Sequence, residues 1–349
     1  MHFLTRGNGI DLIDLMNKLF STQPVDVTVI VVTFGRRMLL EKMLTSYFVA
    51  KAEAEKRSQL SFELRMMLNG NDPDSEKLLL GYGPFEKVDK PATPAAARNM
   101  LMKKINSPWV FFMDDDIYIE PEFFLKFKEL SDEYPEIDVW GGPNTTPQKS
   151  SYQQLRNGWI LSSWLITGPV AQRYALKGKS FSRGGQFNLT LCNLFIKNKT
   201  LNNAEFLPFL KTAEENELIY SLKEKCCQLA FSDDLSVAHE RRGSARKFLK
   251  QIFYYGYGRG QLFFKVPILK QLIFVFIPIV AALGVVTAVY LPWLLVIWIL
   301  SINLHYSIKF KKIDPLMFVL PILVWLFYLA GLTKGSLASF QRFKMEFAQ

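Results

Sequence analysis

Only three cysteines occur in the 349 residues, Cys192, Cys226 and Cys227. An odd count with no Cys-x-x-Cys spacing excludes a disulfide scaffold and suits a reducing compartment. Histidine is equally scarce, at His2, His239 and His305. Internal repeats and low-complexity tracts are absent. No N-terminal secretion signal is expected, because Asp11 and Asp14 interrupt any apolar core there. The formal charge is +10, from 42 Lys and Arg against 32 Asp and Glu. No nucleic-acid motif accompanies the basic residues, so no nucleic-acid partner is expected, and anionic lipid is the better match.

Formal charge is missing altogether from Gln271 to Ile308. At about 1.5 Å per helical residue this stretch is roughly 57 Å long, against about 30 Å of bilayer hydrocarbon. Two helices joined near Tyr290, Leu291 and Pro292 are therefore expected, and Pro315 to Thr333 is a third apolar run. Basic residues flank them: Arg246, Lys247, Lys250, Arg259, Lys265 and Lys270 before, then Lys309, Lys311 and Lys312. The positive-inside rule puts both flanks, and the large domain, in the cytoplasm. Lys334, Arg342 and Lys344 at the tail conflict with three full crossings, which leaves the last segment open between spanning and interfacial placement.

From Val27 the text alternates strand and helix. Strands are predicted at Val27 to Thr33, Phe62 to Leu68, near Phe85 to Val88, from Trp109, at Asp138 to Pro143, at Asn188 to Ile196 and at Gln228 to Val237. Helices are predicted from Arg37 to Arg57, from Ser75, from Pro94 and from about Glu215. Such alternation implies an α/β fold with a mostly parallel, doubly wound sheet. The expected organisation is an accessory segment (1–24), an α/β domain (25–240), a basic aromatic connector at the membrane interface (241–267), membrane helices (268–333) and a tail (334–349).

The chemistry concentrates where an apolar strand ends in Asp114, Asp115 and Asp116. Three adjacent carboxylates repel one another unless a cation neutralises them. In open α/β sheets ligands bind beyond the carboxyl ends of the strands. A divalent-metal site holding a phosphate-bearing substrate is the direct reading.

The first strand, the Pro94 to Asn99 segment, the acidic triplet and Ala213 to Leu218 occur in the order and spacing of family 2 glycosyltransferases. The resemblance spans roughly Val27 to Gly260. It implies an inverting enzyme of the GT-A fold, Rossmann-like, using a nucleotide-sugar donor and Mn2+ or Mg2+. By similarity, Asp114 serves the ribose, Asp115 lies between, and Asp116 binds metal with His239 as a further ligand. Glu215 corresponds to the catalytic base, with Glu214 in reserve. Thr33, Arg36 and Arg98 are expected in the nucleotide pocket, together with Asn69 and Asp72 from the loop after the second strand. Gly142, Asn193, Arg241 and Arg242 are expected on the acceptor or diphosphate side.

The expected protein is an integral membrane glycosyltransferase, of a bacterial inner membrane, with a cytoplasmic catalytic domain. Its partners would be the nucleotide-sugar donor, membrane lipids and a lipid-linked or glycan acceptor, with polyprenyl phosphate or a polyprenyl-diphosphate saccharide as the leading class. The alternatives are a non-catalytic membrane module that binds nucleotide sugar or scaffolds other enzymes, and a processive polysaccharide synthase, which lacks its usual Gln-x-x-Arg-Trp signature here.

Overall fold

The computed structural model describes residues 25–201, 204–263 and 292–347. The accessory segment 1–24 and the first of the two expected membrane helices lie outside the described residues. In chain order the elements are β1 (Val27–Thr33), α1 (Arg37–Ser58), β2 (Phe62–Asn69), α2 (Pro73–Leu79), β3 (Glu86–Val88), α3 (Pro94–Leu101), β4 (Trp109–Asp114), β5 (Ile117–Tyr118), α4 (Phe123–Glu133), β6 (Val139–Gly141) and β7 (Asn144–Thr145). They continue with α5 (Tyr152–Ser162), α6 (Trp164–Thr167), β8 (Ser182–Arg183), β9 (Asn193–Lys197), α7 (Asn198–Leu201), α8 (Glu214–Glu224), β10 (Leu229–Phe231), β11 (Val237–His239), α9 (Ala245–Gln261), α10 (Pro292–Phe310) and α11 (Leu320–Phe347).

The main sheet runs β3-β2-β1-β4-β9-β6-β10-β8. Strands β1, β2, β3 and β4 pair in parallel, as does β6 with β10, while β9 is antiparallel to both neighbours. Central strands buried on both faces explain the unbroken apolar runs of β1 and β4. One face is packed by α1 and α4 through stacked rings: Phe195 lies 4.0 Å from Phe111 and 3.7 Å from Phe127, centroid to centroid. The helices start where local chemistry dictates. Thr93 caps α3 ahead of Pro94, and Ser151 with Gln154 forms a capping box on α5.

Two expected strands are cut short. The stretch 188–192 is a turn held by Asn188, whose Oδ1 accepts from the Gly185 amide at 2.8 Å, so only Asn193–Lys197 pairs. The Gln228 to Val237 run breaks at a 3-10 turn, Asp233–Leu235, where the Ser232 hydroxyl accepts from the Asp234 amide. Beyond the break, β11 joins a second small sheet in the order β5-β11-β7.

The connector is helical as α9 and packs along α11. The contact is glycine against backbone from both sides. A Cβ on Gly256 or Gly260 would collide with the Tyr328 or Leu332 carbonyl, and one on Gly331 or Gly335 with the Phe253 or Tyr257 carbonyl. This is the small-x-x-x-small packing that lets helix backbones touch. Helix α11 runs to Phe347, well beyond the expected limit at Thr333. Helices α10 and α11 are long and apolar enough to cross a membrane.

Candidate functional site

Strand register assembles the site. Val32 is opposite Asp114 in the β1–β4 ladder, so Thr33 and Arg36, just beyond β1, reach the acids beyond β4. The Thr33 hydroxyl donates to Asp115 at 2.7 Å. The Arg36 guanidinium donates to Asp115 at 2.8 Å and to Asp116 at 2.7 Å. In the small sheet His239 pairs with Ile117, the residue after Asp116. This brings His239 Nε2 to 3.0 Å from Asp116 Oδ1, while Arg242 stands 3.7 Å from Asp116 Oδ2.

On the other side of the triplet, buried Arg98 projects from α3. It donates to Asp114 at 2.8 Å and to Glu214 at 2.6 Å. Glu214 opens α8 after Ala213, which adopts a left-handed backbone at φ +66°. Glu215 beside it pairs with Arg173 at 3.3 Å. Arg173 also donates to Asn216 at 3.2 Å and to the Gln186 carbonyl at 2.6 Å. One chain of ion pairs thus runs from the triplet through Arg98 to the paired glutamates.

The electrostatics differ sharply along that chain. Burial works against ionising Asp116, but the hydrogen bond with His239 and the charges of Arg36 and Arg242 more than offset it and hold the carboxyl well below the usual range. Burial, helped by Asp116 and Asp114, pushes Asp115 up to about 6 against the pull of Arg36 and Thr33. Glu214 is also raised, by burial first, with Arg98 opposing. A carboxylate keeps its charge in such surroundings only beside a cation.

Not every expected residue faces this cleft. Asn193 is fully buried, its amide donating to the Leu235 carbonyl at 2.6 Å. Gly142 is packed against the Ser232 and Leu235 carbonyls, where any Cβ would clash. Both are packed within the frame, under the turn after β10. Arg241 is turned inward onto Thr146, Asn144 and His239. Asn69 clamps Ala92 through both its amide atoms, at 3.0 and 2.8 Å. Asp72 caps α2 and accepts from the Gly35 amide at 2.8 Å. These last two shape the rim of the cleft through backbone.

Arg173 carries no signal in the sequence. Its side-chain partners Glu215 and Asn216 lie 42 and 43 residues away, and no local pattern marks it.

Among the described residues no three His, Cys, Asp or Glu side chains form a ready-made cage for an ion. The donor set nevertheless suits Mn2+ or Mg2+: hard carboxylate oxygens, two of them now sharing one guanidinium, Arg36, whose side chain is 34% exposed. Cations of this kind commonly take one or two protein carboxylates and complete their shell with phosphate oxygen and water.

The family model described as glycosyl transferase family 2 matches residues 28–197. No curated protein matches the chain. Among solved structures, the mannosyltransferase PcManGT from Pyrobaculum calidifontis, in complex with GDP-Man and Mn2+, is similar at 14% identity and a TM-score of 0.53, with 93% of each chain covered. S. aureus TarS 1-349 is similar at 15% identity and a TM-score of 0.45, covering 67% of this chain and 65% of that one. The match to the longer TarS chain covers 40% of its length. At these identities the likeness is one of fold.

Proposed function

We propose that this chain, whose residues 28–197 match the glycosyl transferase family 2 model and which has a GT-A fold, moves a sugar from a nucleotide-sugar donor, with inversion, to a lipid-linked acceptor at the cytoplasmic face of a membrane. The observation that carries this reading is the Asp114–Arg98–Glu214 bridge. It sets the phosphate-facing carboxylates and the Glu214–Glu215 pair in one cluster at the carboxyl edge of the sheet, where ligands of α/β folds bind.

In this reading Arg36, Arg98 and Arg242 face the nucleotide diphosphate, for which a guanidinium fork is well shaped. Asp116, with its neighbours in the triplet, would hold Mn2+ or Mg2+. Bound there, a divalent cation neutralises charge growing on the departing diphosphate. Glu215 is the base that receives the acceptor's hydroxyl proton as that oxygen attacks the anomeric carbon from the side opposite the leaving group. Glu214, saturated by Arg98, is the brace that fixes the start of α8.

The lipid-linked acceptor is supported by how the apolar helices meet the catalytic domain. Asp314, in the turn after α10, accepts from Arg156 at 3.1 Å and from Tyr152 at 3.0 Å. Lys309, Lys311 and Lys312 thereby flank a turn held against α5, with Lys312 4.2 Å from the Tyr152 ring centroid, which supports a cytoplasmic domain in this reading. Trp325 of α11 donates to the Ile166 carbonyl at 2.8 Å, and Arg342 lies 3.4 Å from the Phe209 ring centroid. With both ends against the domain, α11 lies along the interface in this reading, in keeping with its basic tail. Trp164, Trp293, Leu300, Leu304 and Ile308 leave a broad apolar face exposed, the kind of surface a bilayer covers.

The test uses the purified full chain with Mn2+, a panel of nucleotide sugars and a short-chain polyprenyl phosphate or polyprenyl-diphosphate saccharide. Release of nucleoside diphosphate is expected from wild type and not from Asp116→Ala. If both proteins bind donor alike and neither turns over, a binding or scaffold role replaces the enzymatic one.

A further inference from the structure

Building on that reading of the site, we propose that His239 is an N–H donor to Asp116, oriented by Arg241, and is not a ligand of the metal. The argument is one of hydrogen-bond polarity. Arg241 Nη1 lies 3.0 Å from His239 Nδ1. A guanidinium has only donors, so Nδ1 must present its lone pair. The ring proton then sits on Nε2, which is 3.0 Å from Asp116 Oδ1. An imidazole nitrogen that carries a proton has no lone pair left for a cation.

Metal-bound histidines show the reverse arrangement, in which the distal ring nitrogen donates to a carboxylate or a carbonyl. Here the distal nitrogen meets a donor.

Arg241 cannot readily turn away. Its Nε donates to the Thr146 hydroxyl at 3.0 Å, and its Nη2 donates to the Asn144 carbonyl and, at 3.0 Å, to Asn144 Oδ1. The Asn144 amide is itself oriented, since its Nδ2 donates to Thr190 at 3.3 Å. The guanidinium faces the Tyr174 ring at 5.1 Å. The parallel β7–β11 pairing, Val237 with Asn144, holds the two ends of this network together. Releasing Arg241 would strand several buried polar groups at once.

Arg241 and His239 are thus positioning residues that act through Asp116. One Asp116 oxygen is fixed by His239, and the other meets Arg36, the exposed partner. Among the described residues a cation at Asp116 would therefore find oxygen ligands, which suits Mg2+ or Mn2+ better than metals that favour imidazole.

The chain's three histidines make the proposal directly testable by 15N spectroscopy of histidine-labelled full-length protein at pH 7.5, with the His239→Gln spectrum as assignment. The expected result is a proton on Nε2 and a bare, hydrogen-bonded Nδ1. A proton on Nδ1, or on both nitrogens, overturns the proposal, as does coupling of Nε2 to 113Cd2+. As a second readout, Mn2+ affinity by electron paramagnetic resonance should stay within about threefold of wild type in His239→Gln, whose amide can still donate to Asp116. Loss of tenfold or more in His239→Gln, which keeps a donor to Asp116 but lacks the imidazole, assigns His239 to the metal and overturns the proposal.

Discussion

Replacing Arg98 by Met removes a buried cation while keeping a side chain of similar length. Its two partners should respond differently. The Asp114 side chain is one-third exposed and can recover water. The Glu214 side chain is only 9% exposed and must either stay charged without a partner or take up a proton. Proton uptake sets a ceiling on its cost. Over the interval from its ordinary value of 4.5 to pH 7, at 1.36 kcal/mol per unit, the ceiling is about 3.4 kcal/mol. That sits within the few kcal/mol expected when one half of a buried ion pair is removed. The sign follows from linkage. Above pH 4.5 the folded variant holds a proton that the unfolded chain has lost, so stability falls as pH rises. The penalty should shrink to about 0.7 kcal/mol at pH 5. Denaturant unfolding of detergent-solubilised protein at pH 5, 6 and 7 measures this, with Arg98→Met/Glu214→Gln as the control that removes the slope. A penalty independent of pH, or unrelieved in the double variant, would refute the brace between α3 and α8.

Glu215→Gln should retain donor binding by isothermal titration while transfer falls on the order of 10²-fold or more, the range for loss of a general base; unchanged transfer would move that role elsewhere. Gly260→Val or Gly331→Val should force α9 and α11 apart by about an ångström and cost about 1–3 kcal/mol, lowering the thermal midpoint without altering donor affinity. Arg156→Met should free the turn at Asp314, so limited proteolysis between Lys309 and Asp314 should accelerate while the sheet domain stays resistant.

The legible part of this molecule is the part where pattern and chemistry coincide. Strand β4 announces itself because an apolar run stops dead at three carboxylates, and Thr33, Arg36 and Arg98 stand out because each sits at a fixed offset from a strand or helix end. Depth is what the text conceals. Asn193 and Gly142 read like cleft residues, yet the chain that returns after β10 covers both. Arg241 and Arg242 are adjacent and chemically identical, but beyond the end of β11 the chain turns one inward to Asn144 and leaves the other beside Asp116. Arg173 belongs to the site through partners more than forty residues away. The paired glycines of α9 and α11 are visible as spacings, but only folding reveals that one pair is built for the other.

These contacts also bear on why an active site should be fused to apolar helices at all. Residues 204–213 run between the two halves of the molecule. On the nucleotide side, Asn99 of α3 exchanges two hydrogen bonds with Phe206, both 2.8 Å, and Thr93 donates to the Pro208 carbonyl. On the side of the helix pair α9–α11, the Thr212 hydroxyl donates to the Tyr254 carbonyl of α9 at 2.7 Å, and Gly258 leaves just enough room for Thr212 to seat there. The next residue is Ala213, whose left-handed turn starts α8 and presents Glu214 and Glu215. The segment that aims the carboxylates is therefore anchored at once to the helix bearing Arg98 and to the glycine-packed pair α9–α11. Under the proposed function, a base held this way would keep a fixed distance both from the diphosphate and from the glycine-packed pair α9–α11. For an acceptor confined to a bilayer, that double anchorage replaces much of the positioning that a soluble enzyme must obtain from the substrate itself.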